Sequence, residues 1–102
     1  MNRKGIACIG NMVVDVIKDI GSYPAPGNLT TITGVKKTTG GLVCNCLLDI
    51  ANMDPSVPLE AVGLTGADDY GDMLTGALSA RGIDVSRVAR HPAPIGIGRR
   101  VR

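Results

Sequence analysis

Asp15, Gly40, Gly41 and Asn45 are the residues of this chain whose types and spacing suit the binding of a polyhydroxylated ligand. Gly40-Gly41 stands directly before a stretch with helical periodicity. There the missing Cβ atoms let a ligand approach the backbone, and a helix N-terminus offers free N–H donors. Such donors bond neutral hydroxyl oxygens as well as anions, though the dipole then adds less. Asn45, one turn further on, both donates and accepts, which suits hydroxyls that do both. Asp15 lies near the end of an apolar, β-branched run, where a carboxylate is costly to bury unless it is paired or faces a polar cleft. In such a cleft it would accept from one or two hydroxyls. Each part also has a plainer reading: Gly-Gly as an ordinary turn, Asn45 on a solvent face, Asp15 capping a loop. The weight rests on the combination, because short motifs recur by chance.

Other chemistries find less support. No G-x-G-x-x-G opens the first helix and no G-x-x-x-x-G-K-[ST] occurs, so neither a dinucleotide fold nor a P-loop is indicated. His91, between Arg90 and Pro92, has no nucleophile partner in the sequence and reads as an exposed loop residue. The three cysteines, Cys8, Cys44 and Cys46, lack C-x-x-C spacing, and on a helix Cys44 and Cys46 point well apart. They read as buried structural thiols in a reduced, cytoplasmic protein, with no metal site. A net charge of +2 does not call for nucleic acid, and the basic residues are not interleaved with aromatic ones. Arg99, Arg100 and Arg102 crowd the carboxyl end and read as a solvated tail. The amino terminus forms neither a signal peptide nor a membrane span.

The elements that must position these residues follow from periodicity. The chain has 102 residues, 44% hydrophobic and 20% charged, which fits one small domain. With two Tyr and no Phe or Trp, its core is built from aliphatic side chains. Ile6 to Ile17 reads as one buried strand interrupted at Gly10-Asn11. Leu29 to Val35, rich in Thr, reads as a half-exposed strand after a Pro- and Gly-rich turn. A helix is expected from about Leu42 to Met53, with Leu42, Cys46, Leu47, Ile50 and Met53 facing the sheet and Asp54-Pro55 ending it. Leu59 to Leu64 reads as a further strand, and Asp68-Asp69 opens a second helix with Tyr70, Met73, Leu74, Ala77, Leu78 and Arg81 on one stripe, terminated by Gly82. Ile83 to Val88 leads into the next strand. His91-Pro92-Ala93-Pro94 reads as a loop. The succession predicts an α/β layer with right-handed crossovers and a small, partly exposed β excursion.

Taken together, Gly10-Asn11 with Asp15, Gly40-Gly41 with Asn45, the stretch from Val62 to Gly71, and Gly82-Ile83-Asp84 resemble the PfkB or ribokinase family of carbohydrate kinases over about residues 5 to 90. The resemblance implies a partial ribokinase-like three-layer α/β/α domain with a β lid, with lid-like strands near 29–35 and 95–101. It implies transfer of the ATP γ-phosphoryl, with Mg²⁺, to a hydroxyl of a sugar or nucleoside. By the same resemblance Asp15 would bind sugar hydroxyls, Gly40 and Gly41 would line the sugar, and Asn45 would contact another hydroxyl. The lid implies a possible homodimer through its strands.

The sequence also departs from the family pattern. Leu42 and Val43 stand where relatives often carry a basic and a small residue, Leu47 replaces a small one, Val13 replaces a polar contact, and Ile95 stands where threonine is typical. These leave the sugar open. The family's D-T-x-G-A-G-D signature, which bears the catalytic aspartate and the anion hole, is not among these residues, so no catalytic or nucleotide-binding residue can be named. Residues 1–102 therefore read as the incomplete, amino-terminal acceptor-binding part of such a kinase, inactive alone; the alternative is a non-catalytic sugar-binding or dimerisation module.

Overall fold

The apolar run from Ile6 to Ile17 is two strands in two different sheets. In the computed structural model, which describes residues 4–93 and the backbone of 97–101, β1 is Ile6–Ile9 and β2 is Val13–Ile20. The Gly10 N–H makes a last bond to the Val62 carbonyl at 3.2 Å, after which the chain leaves the first sheet. A run of β-branched residues specifies strand but carries no record of which neighbour it pairs with, so Gly10-Asn11 looks in sequence like an interruption when it is a crossing.

The remaining elements are β3 (Ile32–Gly40), α1 (Gly41–Met53), β4 (Leu59–Gly66), α2 (Asp69–Ser79), β5 (Asp84–His91) and β6 (Ile97–Val101). One sheet has the order β1-β4-β5 and is parallel throughout; the other has the order β3-β2-β6. In the second, β2 runs antiparallel to β3 from Val13 opposite Gly40 to Ile20 opposite Ile32, and parallel to β6 from Val14 opposite Ile97 to Lys18 opposite Val101. The second strand thus begins three residues later than periodicity indicates and absorbs Lys36, Lys37, Thr38 and Thr39. Arg99 and Arg100, which charge alone reads as a tail, belong to the backbone-paired strand β6, within the range near 95–101 where the family resemblance implies a strand, while Pro94, Ile95, Gly96 and Arg102 lie outside the described residues.

The parallel sheet is crossed twice in the same direction, and right-handed crossovers then place α1 and α2 on one face. Their shared core contains Leu47, Ala51, Leu59, Ala61, Leu74, Leu78 and Ile83. The buried stripe of α1 is Val43, Cys44, Leu47 and Ala51. Leu42 and Met53, expected to face the sheet, are 63% and 83% exposed. The helix turns Val43, Cys44, Leu47 and Ala51 inward and leaves Leu42 and Met53 outside, so the period is as expected and its phase is not. Asp68 caps α2 by accepting from the Gly71 N–H at 2.9 Å, and Gly82, at φ +73°, ends it as expected. Met12 and Val14, from the start of the second sheet, are buried in the same core and anchor that sheet to it. The rest of the excursion stands away. The radius of gyration is 16.5 Å, against ~13 Å for a compact chain of this size.

Candidate functional site

β2 and β3 place Asp15 and Gly40 beside the first turn of α1. Asp15 is half-buried and lies in register with Thr38, on the face of β2 opposite the buried Val14 and Val16. Gly40 follows two residues after Thr38. A Cβ on Gly40 would lie 2.9 Å from Asp15 Oδ2 and 3.3 Å from Val13 Cγ2. The absence of that side chain is therefore what lets the carboxylate lie over the backbone at the helix entrance.

Gly41 is constrained twice. Its φ of +83° is in the left-handed region, and a Cβ there would meet the Asn11 carbonyl oxygen at 2.8 Å. Asn11 comes this close because it holds the start of α1. Its Oδ1 accepts from the Leu42 N–H at 3.2 Å and its carbonyl oxygen accepts from the Val43 N–H, also at 3.2 Å. Gly40, at the N-cap position, supplies no side-chain bond. Two of the donors expected to be free for a ligand, the Leu42 and Val43 N–H groups, are thus satisfied by Asn11, and the site offers a carboxylate, an amide and a glycine-lined wall beside the helix entrance. Sequence reasoning missed Asn11 in this role. The available signal was an amide side chain of capping type, just past a strand end, in a chain whose first helix has no cap of its own.

Asn45 is exposed on α1, four residues after Gly41 and therefore one turn above it on the same side of the helix. Among the described residues, the Asp15 and Asn45 side chains have no hydrogen-bond or ion-pair partner, so both are available to a ligand. The structure thus brings Asp15, Gly40 and Gly41 together and sets Asn45 above them.

Two further contacts hold the surroundings. Lys37 Nζ of β3 lies 5.0 Å from the centre of the Tyr70 ring on α2, joining the second sheet to the helical layer by a cation–π contact. Arg90, at the end of β5, pairs with Asp72 and donates to Thr75 Oγ1 at 3.3 Å, fixing the first turns of α2. His91, expected in a loop, is instead the last residue of β5, paired with Gly66; its exposed side chain accepts at Nδ1 from the Ala93 N–H at 3.1 Å. Burial pushes the Cys44 thiol up to about 11, so it stays protonated at neutral pH. Among the described residues, no group of three or more His, Cys, Asp or Glu side chains could hold a metal ion, and no helix is long and apolar enough to cross a membrane.

Residues 3–97 match the model of the pfkB family of carbohydrate kinases. Solved structures similar to the chain include ribokinase from Thermotoga maritima, at 22% identity and a TM-score of 0.83, covering 95% of this chain and 32% of that one. Ribokinase from Arabidopsis thaliana, complexed with ribose and ATP, matches at 22% identity and a TM-score of 0.78, over 92% of this chain and 30% of that one. The nucleoside kinase from Methanocaldococcus jannaschii matches at 22% identity and a TM-score of 0.73, over 88% and 30%. The chain thus spans about a third of the length of these structures. No curated protein sequence matches it significantly.

Proposed function

Because this chain belongs to the pfkB family of carbohydrate kinases, we propose that it is the acceptor-binding portion of a sugar or nucleoside kinase, with Asp15, Gly40, Gly41 and Asn45 as its acceptor site. The observation that supports this reading is the pair of polar side chains, Asp15 and Asn45, that have no partner among the described residues and are set about a helix entrance where Gly40 leaves room for the carboxylate. A half-buried carboxylate without a partner is costly, and a ligand hydroxyl would offset that cost. The second sheet, whose face bears Asp15, would act as a lid that keeps water from the acceptor hydroxyl.

Phosphoryl transfer from ATP with Mg²⁺ is the chemistry of the proposed whole enzyme, and the residues described here do not fit those groups. They include no metal-ligating cluster and no glycine-rich loop of phosphate-binding type. Asp15 is assigned to binding, and the base that accepts the hydroxyl proton is placed outside this chain. The 102 residues are accordingly proposed to bind acceptor and to be inactive in transfer by themselves.

The test is a thermal-shift titration of the chain with ribose, fructose and adenosine, repeated with Asp15→Ala and Asn45→Ala. One of these ligands should raise the melting temperature by binding the native state, and both substitutions should abolish the rise. A rise that survives both substitutions would place the ligand elsewhere. ATP consumption dependent on that ligand should then require a carboxyl-terminal portion supplied in addition.

A second reading, a dimerising module, is favoured by one observation. β3 is an edge strand, and its Ile32 and Val35 are 47% and 60% exposed. Light scattering decides it: a dimer that Val35→Lys dissociates supports the module, and a monomer removes it.

A further inference from the structure

The candidate acceptor site has an apolar wall beside its polar groups. Val13 is paired with Gly40 across β2 and β3 and lies two residues before Asp15, so both side chains are on the face of β2 opposite the buried Val14 and Val16. Both also close on one point. Where a Cβ of Gly40 would stand, the nearest atoms beyond that glycine's chain neighbours are Asp15 Oδ2 at 2.9 Å, Val13 Cγ2 at 3.3 Å and Asp15 Cγ at 3.5 Å. The carboxylate oxygen accepts hydrogen bonds, and the methyl beside it neither donates nor accepts. Val13 is half-buried and keeps part of its side chain open on this face. Asn45 has a similar neighbour in Leu42, which stands three residues earlier on the same side of α1 and is 63% exposed. Each polar side chain of the site therefore stands beside an apolar one, an arrangement that fits a ligand with hydroxyls on one edge and C–H groups on the next.

We propose that Val13 is a specificity-determining residue and that the acceptor is a deoxy sugar, free or within a nucleoside, whose hydroxyl-free carbon lies against Val13; this rests on the acceptor-site reading above. A hydroxyl donating to Asp15 approaches to roughly 2.7 Å, which brings the sugar carbons beside it within reach of the Val13 methyl groups. A second hydroxyl turned onto those methyl groups would give up its bonds to water and meet no side-chain partner, whereas a C–H group there gains packing contact. The discrimination has a ceiling, because an apolar wall rejects an added hydroxyl by only about a hundredfold. A preference of about tenfold to a hundredfold for the deoxy form is therefore expected.

Isothermal titration calorimetry of the full chain with matched pairs tests this: ribose with 2-deoxyribose, glucose with 2-deoxyglucose, and adenosine with its 2′-deoxy and 3′-deoxy forms. In at least one pair the deoxy form should bind the wild-type chain at least about tenfold more tightly than its parent. Val13→Thr, which keeps the branched shape and adds a hydroxyl, should narrow or reverse that preference, and Asp15→Ala should abolish binding of both members. If nothing in the panel binds, or if Asp15→Ala leaves binding unchanged, the acceptor site itself is wrong and the proposal falls with it. If binding requires Asp15 but every parent binds as tightly as its deoxy form, or Val13→Thr leaves the preference intact, the acceptor site stands and the role of Val13 is overturned.

Discussion

Replacing Gly41 by Ala separates backbone conformation from close contact, because the chain carries its own control. Gly27 has nearly the same φ, +82° against +83° for Gly41, but a Cβ on Gly27 would meet nothing within 4 Å, whereas one on Gly41 would meet Asn11 O at 2.8 Å, Asn11 C at 3.2 Å and Met12 Cα at 3.1 Å. Gly27→Ala therefore incurs the left-handed penalty alone, ~1–2 kcal/mol. Gly41→Ala incurs the same penalty and also pushes back a backbone that cannot swing aside as a flexible side chain would. Asn11 must retreat, and it gives up the bonds to Leu42 N–H and Val43 N–H, each worth ~1 kcal/mol. The expected total is about 3–4 kcal/mol for Gly41→Ala, or about 2 kcal/mol beyond the control. For a domain of this size that excess is roughly 8–16 °C in melting temperature. Thermal and urea unfolding followed by far-ultraviolet circular dichroism reads both variants on one scale. Equal losses for the two glycines would refute the assignment of Asn11 as the residue that fixes the start of α1.

Asn11 itself gives a sharper comparison. Asn11→Ala should lose about 1 kcal/mol of stability to urea, while Asn11→Asp, which keeps the acceptor and adds negative charge at a helix N-terminus, should lose much less; equal losses would dismiss the cap. Thr65 is fully buried and its Oγ1 has no hydrogen-bond partner among the described residues, so Thr65→Val should be neutral or stabilise by up to ~1–2 kcal/mol in the same urea experiment. A clear loss would mean that the hydroxyl is bonded. Burial raises the Cys44 thiol from 9.0 to about 11, so between those values the unfolded chain loses its proton while the folded chain keeps it. The native state then binds more protons, and stability should fall as pH rises through that window. Cys44→Ala should flatten this part of the pH profile measured by urea unfolding; an unchanged profile would exclude Cys44 as its source.

The helices and the parallel strands were legible because each is encoded locally. Asp68 with Asp69 opens α2 and Gly82 closes it, and Leu74 and Leu78 fall at the spacing that a buried stripe requires. For α1 the period was legible but the phase was not. Leu42 and Met53 are as apolar as Leu47, and only the sheet beneath decides that Val43, Cys44 and Ala51 fit the available space. What sequence hid altogether was pairing between distant residues. The run from Ile6 to Ile17 has no local feature that says β1 pairs with β4 and β2 with β3, and the charges of Arg99 and Arg100 suggest a tail because the strand they pair with lies some eighty positions earlier; only the family resemblance implied a strand there. The candidate site divides the same way. Asp15, Gly40, Gly41 and Asn45 have residue types that announce themselves, whereas Asn11 acts only through the helix that folds against it.

The candidate site lies where the chain passes between its two sheets, and this position has a mechanical consequence. The chain leaves the parallel sheet at Gly10-Asn11 and returns to it through Gly40-Gly41, and Asn11 bonds the two crossings to each other. A rotation of the β3-β2-β6 sheet about the core would turn around these bonds, since Met12 and Val14 on one side and Val43 on the other are buried beside them. Asp15 lies three residues beyond the buried Met12, near this pivot, so it would move little while the outer ends of β2 and β3 swing through the largest arc. In the proposed binding role, a carboxylate so near the pivot would keep hold of an acceptor while the outer ends of β2 and β3 closed over it. The Lys37–Tyr70 contact, between β3 and α2, spans that motion and should limit it. Lys37→Ala is thus expected to loosen the second sheet without displacing Asp15. Hydrogen exchange should show faster exchange in β2 and β3 beyond Val16 and unchanged protection at Val43 and Cys44. Faster exchange at the start of α1 as well would show that the two crossings are not the fixed point of the fold.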